Sequence, residues 1–433
     1  MLNILQLLPF FCIILTSTAD CDSSAITWND ASFVSTPTFL EMIPTTLNDL
    51  ADNSVITLLP GPVHETNLLW LVSSMNSSLP ADKELQVLNS STRTSASVIS
   101  NFDNLASVKD VKIVATADGS ITLLFVANDT RNLSQIHGYT FFSDQSTPRT
   151  YVLTNNTNSS MTYRIEALLA DRADPFILYS QLVEESLDNG TVGNITVVTL
   201  YAAKISTRDQ LLKKNIKVAN GNFSHARCDV VNEPEGVLCL LRVNNSLFST
   251  LITNEAIKTQ FLFQDSSENK FMIKYYPEAV VAAQGFTAGI FSARRKDEIF
   301  VMIQKFELDG FRDEIANPRQ ALPVKNFPAN GFIESPFIGS AAYSDKIALF
   351  YTAYGDGGCQ RWSYTMYDIN GIRGSEVHLA NVGPDSYARF QVSGDVGCDA
   401  INIVAYSADP SDDSLMVSIF YGVILDHTFP DRF

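Results

Sequence analysis

The stretch KIALFYTAYGDGGCQRWSYTMYDINGIRGSEVHLAN, Lys346 to Asn381, decides the fold. It reads as three consecutive strands with their turns. Lys346–Tyr354 is an apolar and aromatic run, residues 355–358 break it, and residues 362–367 form a second run. Asp368-Ile-Asn-Gly371 then leads into a third run ending near Leu379. Asn-Gly between two β-prone runs predicts a tight turn, because such a turn needs positive φ and glycine adopts it without strain.

The run that opens this unit recurs along the chain. It is TNLLWLVSS from Thr66, ITLLFVAN from Ile121, PFILYSQL from Pro175, GVLCLLRVN from Gly236, FTAGIFSAR from Phe286, KIALFYTAY from Lys346 and AINIVAYSA from Ala400. The starts are 55, 54, 61, 50, 60 and 54 residues apart. An aromatic sits near the middle of five runs (Trp70, Phe125, Tyr179, Phe291, Phe350), and Leu240 and Val404 take that place in the others. A period near 55 with several strands per unit is the pattern of a propeller or a β-solenoid.

Each run follows another apolar strand, as in VKIVATADGS, RIEALLADRAD and FQVSGDVGCD, and precedes two more. IFVMIQKFELDGFRDEI and QFLFQDSSENKFMIKYY read as third-and-fourth pairs. Long strings of Val, Ile, Phe, Tyr and Thr without helical period predict an all-β chain. Residues 209–214 alone suggest a helical turn. Four strands in seven units predict a seven-bladed β-propeller, with blades from about residue 53 to 425 in one domain spanning 20–433. The last unit supplies only three strands, and residues 26–43 carry an otherwise unexplained β-like pattern. That segment is expected to join the last blade and close the ring, since an open ring leaves a strand edge unpaired. Two sandwiches are the competing all-β reading; the regular spacing without a central linker counts against them.

In period and strand pattern the chain resembles the β-propeller superfamily over nearly its whole length. It lacks the WD dipeptides, the paired glycines of kelch, the Asp-rich calcium turns of integrin-like blades and the S-x-D-x-G-x-T-W boxes of sialidases. The resemblance therefore implies a fold and no particular activity.

MLNILQLLPFFCIILTSTADC opens the sequence, with an apolar core over residues 5–15 and Ser17 and Ala19 placed for cleavage before Asp20. Residues 1–19 are expected to be a secretory signal peptide, although its first residues carry no Lys or Arg. The apolar run is shorter than the ~20 residues a membrane span needs. A formal charge of −17 argues against nucleic acid or an anionic membrane as main partner. Six cysteines occur, and Cys12 falls in the signal peptide. In an oxidising compartment the others should mostly pair. Cys228 and Cys239 flank Glu233-Pro-Glu-Gly236 symmetrically and are expected to face each other across a hairpin. For the remaining three, two pairings stay open. Nearness in sequence favours Cys359–Cys398, although the blade map puts these on opposite faces. Cys21 falls on the Cys398 face, so a Cys21–Cys398 bridge would latch the ring and leave Cys359 single.

Ten N-x-[ST] sequons occur, at Asn76, Asn89, Asn128, Asn132, Asn155, Asn158, Asn189, Asn194, Asn222 and Asn244, with none beyond. All except Asn89 map to loops of one propeller face, so glycans would shield that sector. The same-face loops of the later blades are ARRKDE (293–298), YGDGGCQRW (354–362) and ADPSDD (408–413). Trp362, Tyr354, Arg294, Arg295 and Asp356 are the candidate binding residues there, since a ring buries apolar area while polar groups set orientation. Packing between blades is the alternative for Trp362 and Tyr354. The five histidines are scattered, with no metal-ligand spacing, no G-x-S-x-G and no Cys-x-x-Cys, so no cofactor, metal or catalytic motif is read. A two-carboxylate glycosidase leaves no local motif; Asp356, Asp297 and Asp412 are the guesses for that role. The reading is a secreted, glycosylated extracellular module that binds a glycan or protein. The alternatives are a polysaccharide hydrolase or lyase, and a coat component crosslinked by an unpaired cysteine.

Overall fold

A computed structural model describes the strands given below, together with residues 120, 129–133, 153–160, 222, 235, 244–245, 254, 256, 265–266, 284–285, 345, 368, 374 and 376; side-chain surroundings are described only within residues 110–382. Two short strands come first, β1 (Ile26–Trp28) and β2 (Thr38–Pro44). The first complete sheet is β3 (Ile56–Leu59), β4 (Asn67–Ser73), β5 (Lys83–Asn89) and β6 (Thr94–Ile99). The second is β7 (Lys109–Ala115), β8 (Ile121–Asn128), β9 (Ser134–Phe141) and β10 (Arg149–Val152). The third is β11 (Met161–Asp171), β12 (Asp174–Ser186), β13 (Asn194–Ser206) and β14 (Leu211–Gly221). β15 (Phe223–Val231), β16 (Gly236–Val243), β17 (Ser246–Thr253) and β18 (Ile257–Gln264) form the fourth. β19 (Ile273–Ala283), β20 (Phe286–Arg295), β21 (Glu298–Phe306) and β22 (Arg319–Gln320) form the fifth. β23 (Phe337–Tyr343), β24 (Lys346–Tyr354), β25 (Gln360–Tyr367) and β26 (Val377–Val382) follow, and then β27 (Tyr387–Asp395), β28 (Ala400–Asp409) and β29 (Ser414–Phe420).

The described residues are all-β, in antiparallel sheets whose strands pair in chain order, and none of these sheets closes on itself. The seven recurring runs are the second strands, β4, β8, β12, β16, β20, β24 and β28. β2 pairs antiparallel with β29, so a segment near the start of the chain completes the last four-stranded sheet. β1 instead pairs with β26 and gives the preceding sheet a fifth strand. The single N-terminal strand expected over residues 26–43 is thus two strands serving two sheets. First strands of consecutive sheets touch in turn, β3 to β7, β11, β15, β19, β23 and β27, and β27 touches β3.

The second strands show why the runs are apolar throughout instead of alternating. Along β16, Val237, Cys239, Leu241 and Val243 pack against the third sheet with Phe176, Leu178 and Leu200. The intervening Leu238 and Leu240 pack against Val280, Phe291 and Phe306 of the fifth. Every residue of β16 is buried. A strand with both faces covered has no side left to be polar. β12 does the same, with Phe176 and Leu178 toward the fourth sheet and Ile177 and Tyr179 toward the second. Close packing makes some positions small. A Cβ on Gly289 of β20 would stand 2.7 Å from the Phe306 ring and 3.1 Å from Leu240 of the neighbouring sheet.

Four expectations are corrected. QFLFQDSSENKFMIKYY is not one hairpin: its first part is β18, the outer strand of one sheet, and its end is β19, the first strand of the next. In IFVMIQKFELDGFRDEI the fourth strand was placed too early, since β21 pairs with Arg319–Gln320. Residues 211–214 are extended in β14, paired with β13, because the apolar Leu211 and Leu212 continue a sheet edge. In the opening stretch β26 begins only at Val377, so Asn370-Gly371 does not join β25 and β26 directly.

Between the fourth and fifth sheets, Asp229 of β15 accepts the amide hydrogens of Ala282 (2.9 Å) and Val230 (2.8 Å). Burial raises its pKa from 3.8 to about 6 against those two hydrogen bonds. The folded chain therefore holds a proton there that the unfolded chain has released between pH ~4 and 6. This contribution to stability is complete below pH ~4 and is lost as pH rises through about 6, by roughly 2–3 kcal/mol. Thermal melts of the wild type and Asp229→Asn at pH 4 to 7 should show the difference in Tm moving in the variant's favour as pH rises; a constant difference would contradict the assignment.

Candidate functional site

Several first strands carry a bulge, among them β7, β11, β15 and β19. The registers shift between Lys109 and Lys112, Ile165 and Ala167, Phe223 and His225, and Pro277 and Ala279. A bulge leaves a residue outside the ladder and re-aims its neighbours. At or beside these bulges stand Asp110 and Lys112, Arg164 and Glu166, His225 and Arg227, and Tyr276 and Glu278. Lys112, Arg164, His225 and Arg227 are exposed, although the chain as a whole is acidic.

The groups act on one another across sheets. Burial lowers the pKa of Lys112; Asp110 and Glu166 oppose this, while Arg227 and Arg164 add to it. Burial also lowers the pKa of His225, and Arg227, Arg242, Arg164 and Arg294 all push it the same way. Burial raises the pKa of Glu166, against a 2.6 Å hydrogen bond from Ser180 and the charge of Arg164.

Arg242 explains the one charge in the otherwise apolar β16. It continues the face of Leu238 and Leu240, and its guanidinium makes a fork to Asp265, Nη1 to Oδ1 at 3.1 Å and Nη2 to Oδ2 at 2.6 Å. Nη1 also donates to the carbonyl of Tyr275. Both partners are largely buried, at 7% and 13% side-chain exposure. The Tyr276 ring lies under two guanidiniums, Arg242 at 4.3 Å and Arg294 at 4.6 Å, and His225 meets it edge-on at 5.5 Å. Arg294 reaches Glu278 Oε1 at 3.6 Å, an ion pair longer than a hydrogen bond. Arg227 donates Nε to the Glu278 carbonyl at 3.1 Å and Nη1 to the Ala226 carbonyl at 2.9 Å. Its Nη2, and the whole guanidinium of Arg164, meet no hydrogen-bond acceptor among the described residues. Donors fixed in direction and left unclaimed suit a planar or tetrahedral oxyanion.

Of the residues singled out by sequence, Arg294 belongs to this cluster. Trp362 does not present its ring: it is the third residue of β25, pairs with Thr352 and Ala380, and is 2% exposed. Its place inside a two-sided sheet, not in a loop, makes it core. Tyr354 ends β24 opposite Gln360, and Arg295 ends β20 opposite Ile273; their side chains lie outside the described residues. Asp356, Asp297, Asp412, Cys21, Cys359 and Cys398 also lie outside them. Cys228 and Cys239 form a disulfide between directly paired positions of β15 and β16.

Asn132, Asn155, Asn158, Asn222 and Asn244 are exposed and Asn128 is half-buried. They gather at one end of the sheets. Asn156, between β10 and β11, donates to the carbonyls of Ser134 and Met161 (3.0 and 2.9 Å), and Asn222 N–H donates to Asn244 Oδ1 at 2.8 Å. Arg242 and His225 are paired near this same end. Asn76, Asn89, Asn189 and Asn194 have no described side-chain setting. At the far end of β16, a cavity of about 360 Å³ is lined by Phe176, Ile216, Val237 and Ile252, with Lys204 and Glu235 at its edge.

This arrangement resembles that of β-propellers. No protein-family model matches the chain, and no curated protein matches it in sequence. Among solved structures it is similar to the β-propeller domain of the trilobed protease from Pyrococcus furiosus, at 8% identity over 87% of this chain and 97% of that one, with a TM-score of 0.43. It is similar to the polysaccharide lyase Uly1 at 8% identity over 90% and 98%, with a TM-score of 0.45. For Trypanosoma rangeli sialidase in complex with the inhibitor DANA the values are 11% identity, 76% of this chain, 56% of that one, and a TM-score of 0.39. At these values the likenesses assign no substrate or activity to this chain. Among the described residues no helix is long and apolar enough to cross a membrane.

Arg242 is expected to be structural and Arg164 not. Arg242→Ala strands Asp265 without its partner and should cost about 3–5 kcal/mol in urea unfolding. Arg164→Gln should leave the transition within about 0.5 kcal/mol of wild type. Equal losses in the two variants would contradict this division.

Proposed function

We propose that the chain is a secreted, glycosylated seven-bladed β-propeller, closed by β2 beside β29, that serves as an extracellular binding module for a glycan or protein. The turn-by-turn contact of first strands, with β27 back on β3, supports the ring. The sequons and the Cys228–Cys239 disulfide fit an oxidising, extracellular setting. The single observation that carries the binding role is the row of exposed cations on β7, β11 and β15, with arginine donors unclaimed by the described residues. Glycans at Asn222 and Asn244 would flank this end and leave it open to a slender ligand. Tyr354, Arg295 and Asp356 would extend the surface along the rim.

A second reading rests on Glu166. A carboxyl whose pKa is raised by burial, against the Ser180 hydrogen bond and the charges of Arg164 and Lys112, is what an acid catalyst of polysaccharide cleavage requires. Incubating the secreted, glycosylated protein with a panel of extracellular polysaccharides separates the two. Retention without released products is expected. Products that vanish in Glu166→Gln would replace the first reading by the second.

A further inference from the structure

We infer that the row formed by Lys112, Arg164 and Arg227 is an oxyanion subsite for an acidic saccharide, one whose units carry carboxylate or sulfate groups. The inference deepens the binding-module reading and rests on it.

The site is built from first strands of three consecutive sheets, so its cations are set at fixed spacing by sheet packing and not by loops. The bulges beside Lys112, Arg164 and His225 take these positions out of regular pairing. Arg227 is already held by two backbone carbonyls, so little side-chain freedom remains to be lost when a ligand arrives. The neighbouring arginines are committed elsewhere, Arg242 to Asp265 and Arg294 to Glu278. What stays available is Lys112, Arg164 and Nη2 of Arg227. Burial lowers the pKa of the His225 imidazole, and the nearby charges of Arg227 and Arg164 lower it further.

Two features favour a saccharide over a folded acidic protein. The cations lie one or two to a strand on β7, β11 and β15, first strands that touch one another in turn, so the positive charge is spread along a line across three sheets. An extended acidic chain can follow such a line from sheet to sheet. Asp110 lies among the cations and would repel a ligand of dense, unspaced charge. A ligand whose charges are separated by neutral ring surface fits that alternation.

The test uses the full glycosylated chain and four soluble probes: polygalacturonate, dextran sulfate, neutral dextran and poly-glutamate. Affinities are measured at low and physiological salt for the wild type, Arg164→Gln, Arg227→Gln and, as a control on the outer strand β18, Lys258→Gln. Expected is binding of at least one acidic polysaccharide, weakened by salt, with a loss of about 10-fold in Arg164→Gln and in Arg227→Gln and none in Lys258→Gln. Polygalacturonate and dextran sulfate separate the carboxylate from the sulfate source, and either supports the subsite. Arg164→Gln keeps the test valid if Arg227→Gln melts early, since no described hydrogen bond depends on Arg164. Acidic binding unchanged in both variants would overturn the subsite. Equal affinity for poly-glutamate would overturn the saccharide assignment. Binding of neutral dextran alone would overturn the subsite and keep the binding module. Binding of none of the four would overturn the subsite and the glycan reading together.

Discussion

Burial of both faces of the second strands, shown by β12 and β16, is the constraint on which the described core depends. β16 sends alternate residues into the third and fifth sheets, and β12 into the second and fourth. A sheet that needs apolar cover on both sides cannot end a stack without leaving one face in water. Each sheet therefore requires a neighbour. First strands of consecutive sheets touch in turn, β27 touches β3, and β2 pairs with β29. Small residues such as Gly289 are the local consequence, since an approach this close leaves no room for a side chain.

The same constraint creates the candidate site. First strands converge, so residues distant in sequence come within reach of one another's charge. Basic residues on neighbouring first strands repel, and the protein manages this unevenly. Arg242 and Arg294 stack on Tyr276 and pair with Asp265 and Glu278, which neutralises them inside the sheet interface. Lys112, Arg164 and Arg227 are left with only partial compensation, in a chain whose net charge is −17. Self-repulsion retained against that background is consistent with a ligand that relieves it.

How much of this was legible depended on burial. Second strands stood out because two covered faces write a continuous apolar run. Fourth strands did not: β18 carries one buried position in eight, and β22 is two residues long, so packing leaves almost no pattern in them. That is why QFLFQDSSENKFMIKYY was divided wrongly. Trp362 opens the second run and also ends the loop 354–362 in the sequence, and its 2% exposure agrees with the packing alternative, not the binding one. The cation row was invisible as a motif, since each strand contributes one or two residues. One signal was present and passed over: the Arg in GVLCLLRV. A charge inside a strand buried on both faces demands partners, and following that demand leads to Asp265, Tyr276 and the arginines around it.

The most direct test of the account follows the His225 imidazole by NMR while polygalacturonate or dextran sulfate is added. Burial lowers its pKa beside the Tyr276 ring, and Arg227, Arg242, Arg164 and Arg294 lower it further. An oxyanion seated among these groups would offset their field. The account predicts that the pKa of His225 rises on saturation with an acidic polysaccharide and that Arg164→Gln reduces the rise. A His225 pKa unmoved by a bound acidic polysaccharide would contradict it.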